Sequence, residues 1–246
     1  MNESVVNVNG GVARLANVGL CLSALDKARD RPAHLPGLVT FSGPSGWGKS
    51  TAAAGVATLR RAYYVEAKSY WSKKAFIEAL LKEMGITPRG RTISAMAEEV
   101  SEQLAKSKRP LIIDEFDHIV DKNAVELVRD LYEGSGAAIL LIGEEQLPAK
   151  LERWERFHGR VLDWVQAQPA SMEDAAALRD LYCTVAVADD LLAHLVDLAK
   201  GSVRRICVNL ERIQDTARNE GLDRVDMDAW GGRPLFTGQA PRRRAA

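Results

Sequence analysis

The sequence predicts an α/β fold, a parallel five-stranded sheet flanked by helices, with a small helical domain behind it. Three observations predict it. Short apolar runs at 38–41, 111–113 and 137–142 alternate with stretches of helical periodicity, the pattern of βα units joined by right-handed crossovers. The segment Gly43-Pro44-Ser45-Gly46-Trp47-Gly48-Lys49-Ser50 matches the phosphate-binding pattern G-x-x-x-x-G-K-[ST] and sits between the first apolar run and an Ala-rich helical stretch. From Ser171 onward only helical periodicity remains.

Residues 12–29 carry Leu15, Val18, Leu22 and Leu25 at helical spacing, and Arg31-Pro32 ends that helix just ahead of the first strand at 38–41. A helix over 49–61 begins at the lysine of the glycine-rich loop. Residues 62–66 read as a second strand, 72–84 as a helix closed by Gly85, and 93–106 as another helix. Leu111-Ile112-Ile113-Asp114-Glu115 is a continuous apolar run ending in two carboxylates, as expected of a central strand buried on both faces. Asp117 and His118 read as loop. A helix over 123–133 leads to a fourth strand at 137–143, a helix over 147–157 follows, and 160–164 supplies the fifth strand. Beyond Pro169, helices are expected over 171–182 with a capping signal, 188–199 and 203–219, with a fragment after Asp226. These readings divide the chain into a nucleotide-binding core at 1–168, an all-helical lid at 169–232 and a disordered basic tail at 233–246 holding Arg242, Arg243 and Arg244.

Composition sets limits. The 246 residues are 46% hydrophobic, enough for a substantial core. Thirty-three Lys and Arg balance thirty-three Asp and Glu, so a polyanion must be held by a local patch. Cys21, Cys183 and Cys207 are far apart, odd in number and set among apolar residues, which favours reduced core thiols over a disulfide frame or zinc site. No apolar run reaches membrane-spanning length, and residues 1–11 lack the pattern of a signal peptide. The chain is expected in the cytoplasm, that of a bacterial host if phage-encoded, with no membrane partner.

The chemistry follows from the loop. Gly43, Gly46 and Gly48 let the backbone turn its N–H groups toward phosphate oxygens, with Pro44, Ser45, Trp47 and Thr51 completing the cradle. Lys49 reaches the outer phosphates of a bound ATP, and Ser50 is placed to ligate Mg²⁺. Asp114, at the tip of a neighbouring parallel strand, accepts from metal-bound water; Glu115 polarises the attacking water, which implies hydrolysis.

With Gly43 to Ser50 as Walker A and LIIDE at 111–115 as Walker B, the chain resembles the AAA+ ATPases over about residues 12–220. The resemblance implies an AAA+ P-loop core, a polar sensor after the fourth strand, an arginine finger acting on a neighbouring subunit, and a second sensor in the helical lid. The first sensor falls on Glu144, where the family usually has Asn, Thr or Ser; a carboxylate facing phosphate implies slow hydrolysis. The finger falls on Arg156 or Arg160, and the second sensor on Arg204, with Arg205 next to it.

A narrower resemblance lies in residues 63–86 and 138–161, which are similar to the Mu-type phage transposition protein B and the B-type ATPases of other transposons. That group's extra N-terminal helix-turn-helix domain is not expected, since about thirty residues precede the first strand. The resemblance implies a homo-oligomer, filament or ring, assembled by ATP on duplex DNA and presenting it to a transposase. Between Arg60 and Arg91 eight basic residues face three acidic ones, and the loop Lys68-Ser69-Tyr70-Trp71-Ser72-Lys73-Lys74 joins ammonium groups to aromatics. Lys68, Trp71, Lys73 and Lys74 are the expected contacts to DNA phosphate, without sequence choice. The alternatives are an adaptor or loader ATPase remodelling a protein partner without gripping DNA, and a nucleotide kinase, which Glu115 and the lack of an acceptor lid disfavour.

Overall fold

The computed structural model of the chain describes residues 15–238; the three arginines of the expected tail and the first residues of the leading helix lie outside them. Five strands form one parallel sheet: β1 (Leu38–Ser42), β2 (Tyr63–Glu66), β3 (Leu111–Asp114), β4 (Ile139–Gly143) and β5 (Val161–Gln166), in the order β2-β3-β4-β1-β5. Pairing runs Leu38↔Ile139 to Ser42↔Gly143 between β1 and β4, and Glu66↔Asp114 closes the β2–β3 pair. Because β4 lies between β1 and β3, the loop after β1 and the carboxylates at the end of β3 face each other across Gly143.

Alternation along the strands sorts their side chains into two cores. Val39, Phe41, Ile112, Leu140 and Ile142 point to one face, where α1 (Ala16–Arg29) and α2 (Lys49–Arg60) cover them. Leu38, Val65, Leu111, Ile113, Ile139 and Leu141 point to the other, against α3 (Lys73–Glu83), α4 (Ile93–Ser107) and α6 (Val125–Ser135). The central strands β1, β3 and β4 are buried throughout, which is why they read as unbroken apolar runs.

Beyond the sheet come α9 (Met172–Tyr182), α10 (Asp189–Ala199), α11 (Val203–Glu220) and α12 (Met227–Trp230). Leu178, Leu192, Ile206 and Leu210 are continuous with the α1–α2 core, which these helices extend. The capping signal at Ser171 is realised: its Oγ accepts the Asp174 amide at 3.2 Å and the Asp174 carboxylate accepts the Ser171 amide at 3.0 Å. The other oxygen of Asp174 accepts the Ala16 amide at 2.8 Å, so one buried carboxylate caps two helices far apart in sequence.

Three local expectations are corrected. Asp117 and His118 are not loop residues; they begin a short helix, α5 (Asp117–Asp121), because the chain turns straight out of β3 through Glu115 at φ 53°. The helix expected over 147–157 is two pieces, α7 (Leu147–Leu151) and α8 (Glu155–His158), broken at Trp154, which leaves the helical region at φ −104°, ψ 68°. Between the C-terminal helices lies a parallel ladder of two-residue strands, β6 (Ala186–Val187) and β7 (Arg224–Val225), too short for periodicity to reveal.

Candidate functional site

The glycine-rich loop leaves β1 at Ser42 and enters α2 at Lys49. Gly46 and Gly48 both stand at φ 83°, a conformation that side chains resist. Space adds a second demand at Gly46, where a Cβ would lie 2.8 Å from Ser202 Oγ. The Arg204 amide donates to the Gly46 carbonyl at 3.1 Å. The start of α11 is thereby seated on the phosphate loop, and the cavity of ≈ 290 Å³ that results is walled by both parts of the chain. Ser45, Lys49, Ser50, Thr51, Asp114, Glu115, Glu144 and Arg204 all line it.

Lys49 Nζ donates to the carbonyls of Gly43 at 2.6 Å and Pro44 at 3.0 Å, which folds the ammonium onto its own loop. Burial lowers its pKa, and the nearby carboxylates of Glu115, Asp114, Glu144 and Asp117 counter that in part. A cation held short of water among acceptors is prepared to exchange those carbonyls for phosphate oxygens. Asp114 is buried; one oxygen accepts the Glu115 amide at 2.8 Å and the other accepts the Tyr64 hydroxyl at 2.9 Å. Glu115 is half-buried, and desolvation together with the charge of Asp114 raises its pKa above the ordinary carboxylate range. That is the direction a general base working near neutral pH requires. The Ser50 hydroxyl and the Asp114 carboxylate are hard oxygen donors on one wall of the cavity, a set that suits Mg²⁺ held jointly with phosphate.

Sequence reasoning missed the parts that hold this arrangement. Asn17, 4% exposed, donates through Nδ2 to the carbonyls of Trp47 at 2.9 Å and Gln168 at 2.8 Å, and its Oδ1 accepts the Gln168 amide at 2.8 Å. It ties α1 to the phosphate loop and to the segment leading into α9. Asp117, also buried, accepts the Glu144 amide at 2.7 Å and pairs with Lys150 Nζ at 2.9 Å. Gly143 leaves room for that contact, since a Cβ there would run into Asp117 Oδ2 and lie 2.7 Å from Leu147. The backbone at Glu144 is therefore fixed while its side chain remains exposed at the cavity. No local pattern signals Asn17; the only sequence signal for Asp117 is its place two residues after Glu115.

The expected finger residues do not line their own chain's cavity. Arg160 is engaged by Glu133 at 3.0 Å, whereas Arg156 is exposed and makes no ion pair among the described residues. In the basic loop, Lys68 is held by Glu66 at 2.6 Å and Lys74 lies 3.8 Å from Glu78; Lys73 is exposed. Trp71 packs against the core beneath α3, so the ring this loop presents to solvent is Tyr70, 80% exposed, and not Trp71. The local excess of positive charge is smaller than the count suggested, because Arg60 pairs with Asp26 and Arg89 with Glu99 and Glu102, all outside the segment counted. Among the described residues no helix is long and apolar enough to cross a membrane, and no cluster of three or more His, Cys, Asp or Glu is placed to hold a metal by itself.

Residues 33–151 match the family model described as an AAA domain. No curated protein matches the chain. Among solved structures the chain is similar to Cdc6p from Pyrobaculum aerophilum, at 17% identity and TM-score 0.64, with 92% of this chain and 68% of that one covered. It is similar to the ADP form of ORC2 from Aeropyrum pernix, at 18% identity and TM-score 0.67, covering 93% and 69%. A third likeness is to Aeropyrum pernix ORC1 in complex with DNA, at 17% identity and TM-score 0.61, covering 92% and 65%. At these identities the likeness is one of fold. Residues 33–151 are similar to an AAA domain, and the chain carries the AAA+ P-loop fold seen in the Cdc6 and ORC structures.

Proposed function

We propose that the protein is an ATP-dependent, sequence-nonspecific DNA-binding ATPase that assembles on duplex DNA and serves transposition as a target selector and transposase activator. The observation that carries the reading is the seating of α11 on the phosphate loop through Arg204 and Gly46, on a chain that also carries a loop of lysines and an exposed tyrosine at the end of β2. A pocket walled by two parts of the chain gives a bound nucleotide the means to set their relation. ATP-driven stacking of subunits then multiplies a weak phosphate contact from Lys68, Lys73 and Lys74, which is how a neutral chain grips DNA.

In this reading Lys49 leaves the Gly43 and Pro44 carbonyls for the outer phosphates. Ser50 and Asp114 hold Mg²⁺, which when bound neutralises charge developing on the phosphates. Glu115 draws a proton from the attacking water, and Glu144 slows the step by repelling the phosphate it faces. Arg156, exposed and uncommitted, is the better candidate for the finger reaching a neighbour's nucleotide; Arg160 would first have to leave Glu133. The complex of Aeropyrum pernix ORC1 with DNA supports a DNA partner for this fold.

The pairing of Lys68 with Glu66 favours a second reading, an adaptor that remodels a protein partner without gripping DNA. The two separate on a gel. With ATP or a slowly hydrolysed analogue at low salt, duplex of any sequence is expected to be retained, and Lys49→Ala to abolish nucleotide binding and retention together. No retention under those conditions sinks the DNA reading, and a Lys49→Ala chain that still assembles on DNA breaks the coupling.

A further inference from the structure

The hydrogen bond between Tyr64 and Asp114 belongs to no step described above. Tyr64 stands on β2, an edge strand, one strand away from the carboxylate it reaches at 2.9 Å. Its ring packs on the α1–α2 core, which aims the hydroxyl along the sheet at that carboxylate. The other oxygen of Asp114 is occupied by the Glu115 amide at 2.8 Å. Both carboxylate oxygens therefore carry a donor, and the plane of the group is set from two sides before any cation arrives.

The same strand leads to the basic loop. Four residues after Tyr64 comes Lys68; between them Glu66 registers against Asp114, and the Ala67 amide donates to the Asp114 carbonyl at 2.9 Å. Lys68 is anchored to Glu66, and Ser72 caps α3 by accepting the Ala75 amide at 3.2 Å. The loop of 68–72 is thus pinned at both ends, and its inner end is pinned to the residue bearing the metal-facing carboxylate. A phosphate that draws Lys68 from Glu66 leaves an unpaired carboxylate in register with Asp114 and so changes the charge beside the metal-facing residue.

From these contacts we infer that Tyr64 is a positioning residue for the metal site: it sets Asp114 for Mg²⁺, and through β2 it makes Mg²⁺ binding responsive to DNA on the loop at 68–72. The inference rests on the proposed function, since it takes Mg²⁺–ATP and DNA as the two ligands. A hydrogen bond to a metal-facing carboxylate acts on metal affinity more than on nucleotide affinity, because it fixes the direction of the ligand's lone pairs. Removing such a partner costs about tenfold in metal affinity, the lower end of the usual range, because here the carboxylate keeps the Glu115 amide.

The test is a Mg²⁺ titration of fluorescent ATP-analogue binding to the full chain, with and without random-sequence duplex, for the native protein and Tyr64→Phe. Tyr64→Phe keeps the ring and is expected to leave Mg²⁺-free nucleotide binding unchanged, to raise the half-saturating Mg²⁺ about tenfold, and to abolish the shift that duplex causes in the native titration. Coincident titrations overturn the positioning role. A raised Mg²⁺ requirement with an undiminished duplex shift overturns the link to the loop. Asp114→Asn in both backgrounds supplies a second reading: with the carboxylate gone, the phenol should make no further difference, and additive effects contradict a shared mechanism. A native chain that binds no nucleotide at any Mg²⁺ concentration brings down the ATPase reading itself, and this inference with it.

Discussion

Asn17→Ala tests how the pocket is held together. The side chain is 4% exposed and makes three hydrogen bonds, two donated to the Trp47 and Gln168 carbonyls and one accepted from the Gln168 amide. Each is worth about 0.5–1.5 kcal/mol net, and truncation leaves three backbone groups to find water in a partly closed site. The expected loss is about 3 kcal/mol, a fall of about 6–12 °C in Tm for a chain of this length. Urea denaturation followed by circular dichroism should show a lower midpoint at unchanged slope, since the surface exposed on unfolding stays the same. Nucleotide affinity should fall as well, because the Trp47 carbonyl belongs to the phosphate loop. A loss below about 1 kcal/mol would refute the reasoning, since three satisfied bonds cannot be that cheap unless the loop is held from elsewhere.

Other expectations concern the chemistry and its frame. Glu115→Gln should retain ATP and DNA while stopping turnover, trapping the assembled state; undiminished phosphate release would remove Glu115 as the base. Because burial and Asp114 raise the Glu115 pKa, the native fold keeps this group's full contribution in acid and loses it as pH rises through the folded-state pKa. Glu115→Gln should therefore raise Tm near neutral pH and show no advantage in acid, and the acid limb of kcat in the native protein should lie above the ordinary glutamate range. Arg156→Ala, at an exposed position, should leave Tm within about 0.5 kcal/mol-equivalent of native yet depress turnover, with activity returning when it is mixed with a chain lacking its own Walker B base. Gly143→Ala pushes a methyl into Asp117 and Leu147 and should cost about 1–3 kcal/mol by overpacking, measured by thermal melts.

What the sequence disclosed, and what it withheld, follows from how local each feature is. The phosphate loop and the strands at 38, 111 and 139 are written in consecutive residues, so their positions and the parallel five-stranded sheet were legible, whereas the strand order β2-β3-β4-β1-β5 came from the structure. Asn17, Asp117 and Tyr64 act through partners 27 to 151 residues away, and single-sequence patterns contain nothing of such distances. The same limit explains the charge patch at 60–91: its count was right, but Asp26, Glu99 and Glu102 neutralise part of it from other helices. Trp71 and Tyr70 are neighbours of like composition, and only the direction of the loop decides that the first is packed and the second exposed.

The central claim is that bound ATP decides whether the loop at 68–74 lines up along DNA. Electron microscopy of the purified chain with plasmid DNA, with ATP and without it, tests that claim most directly. Regular protein arrays on the DNA with ATP, lost without nucleotide and absent for Lys49→Ala, are the predicted result; bare DNA in the presence of ATP, or equal coverage without it, would contradict the account.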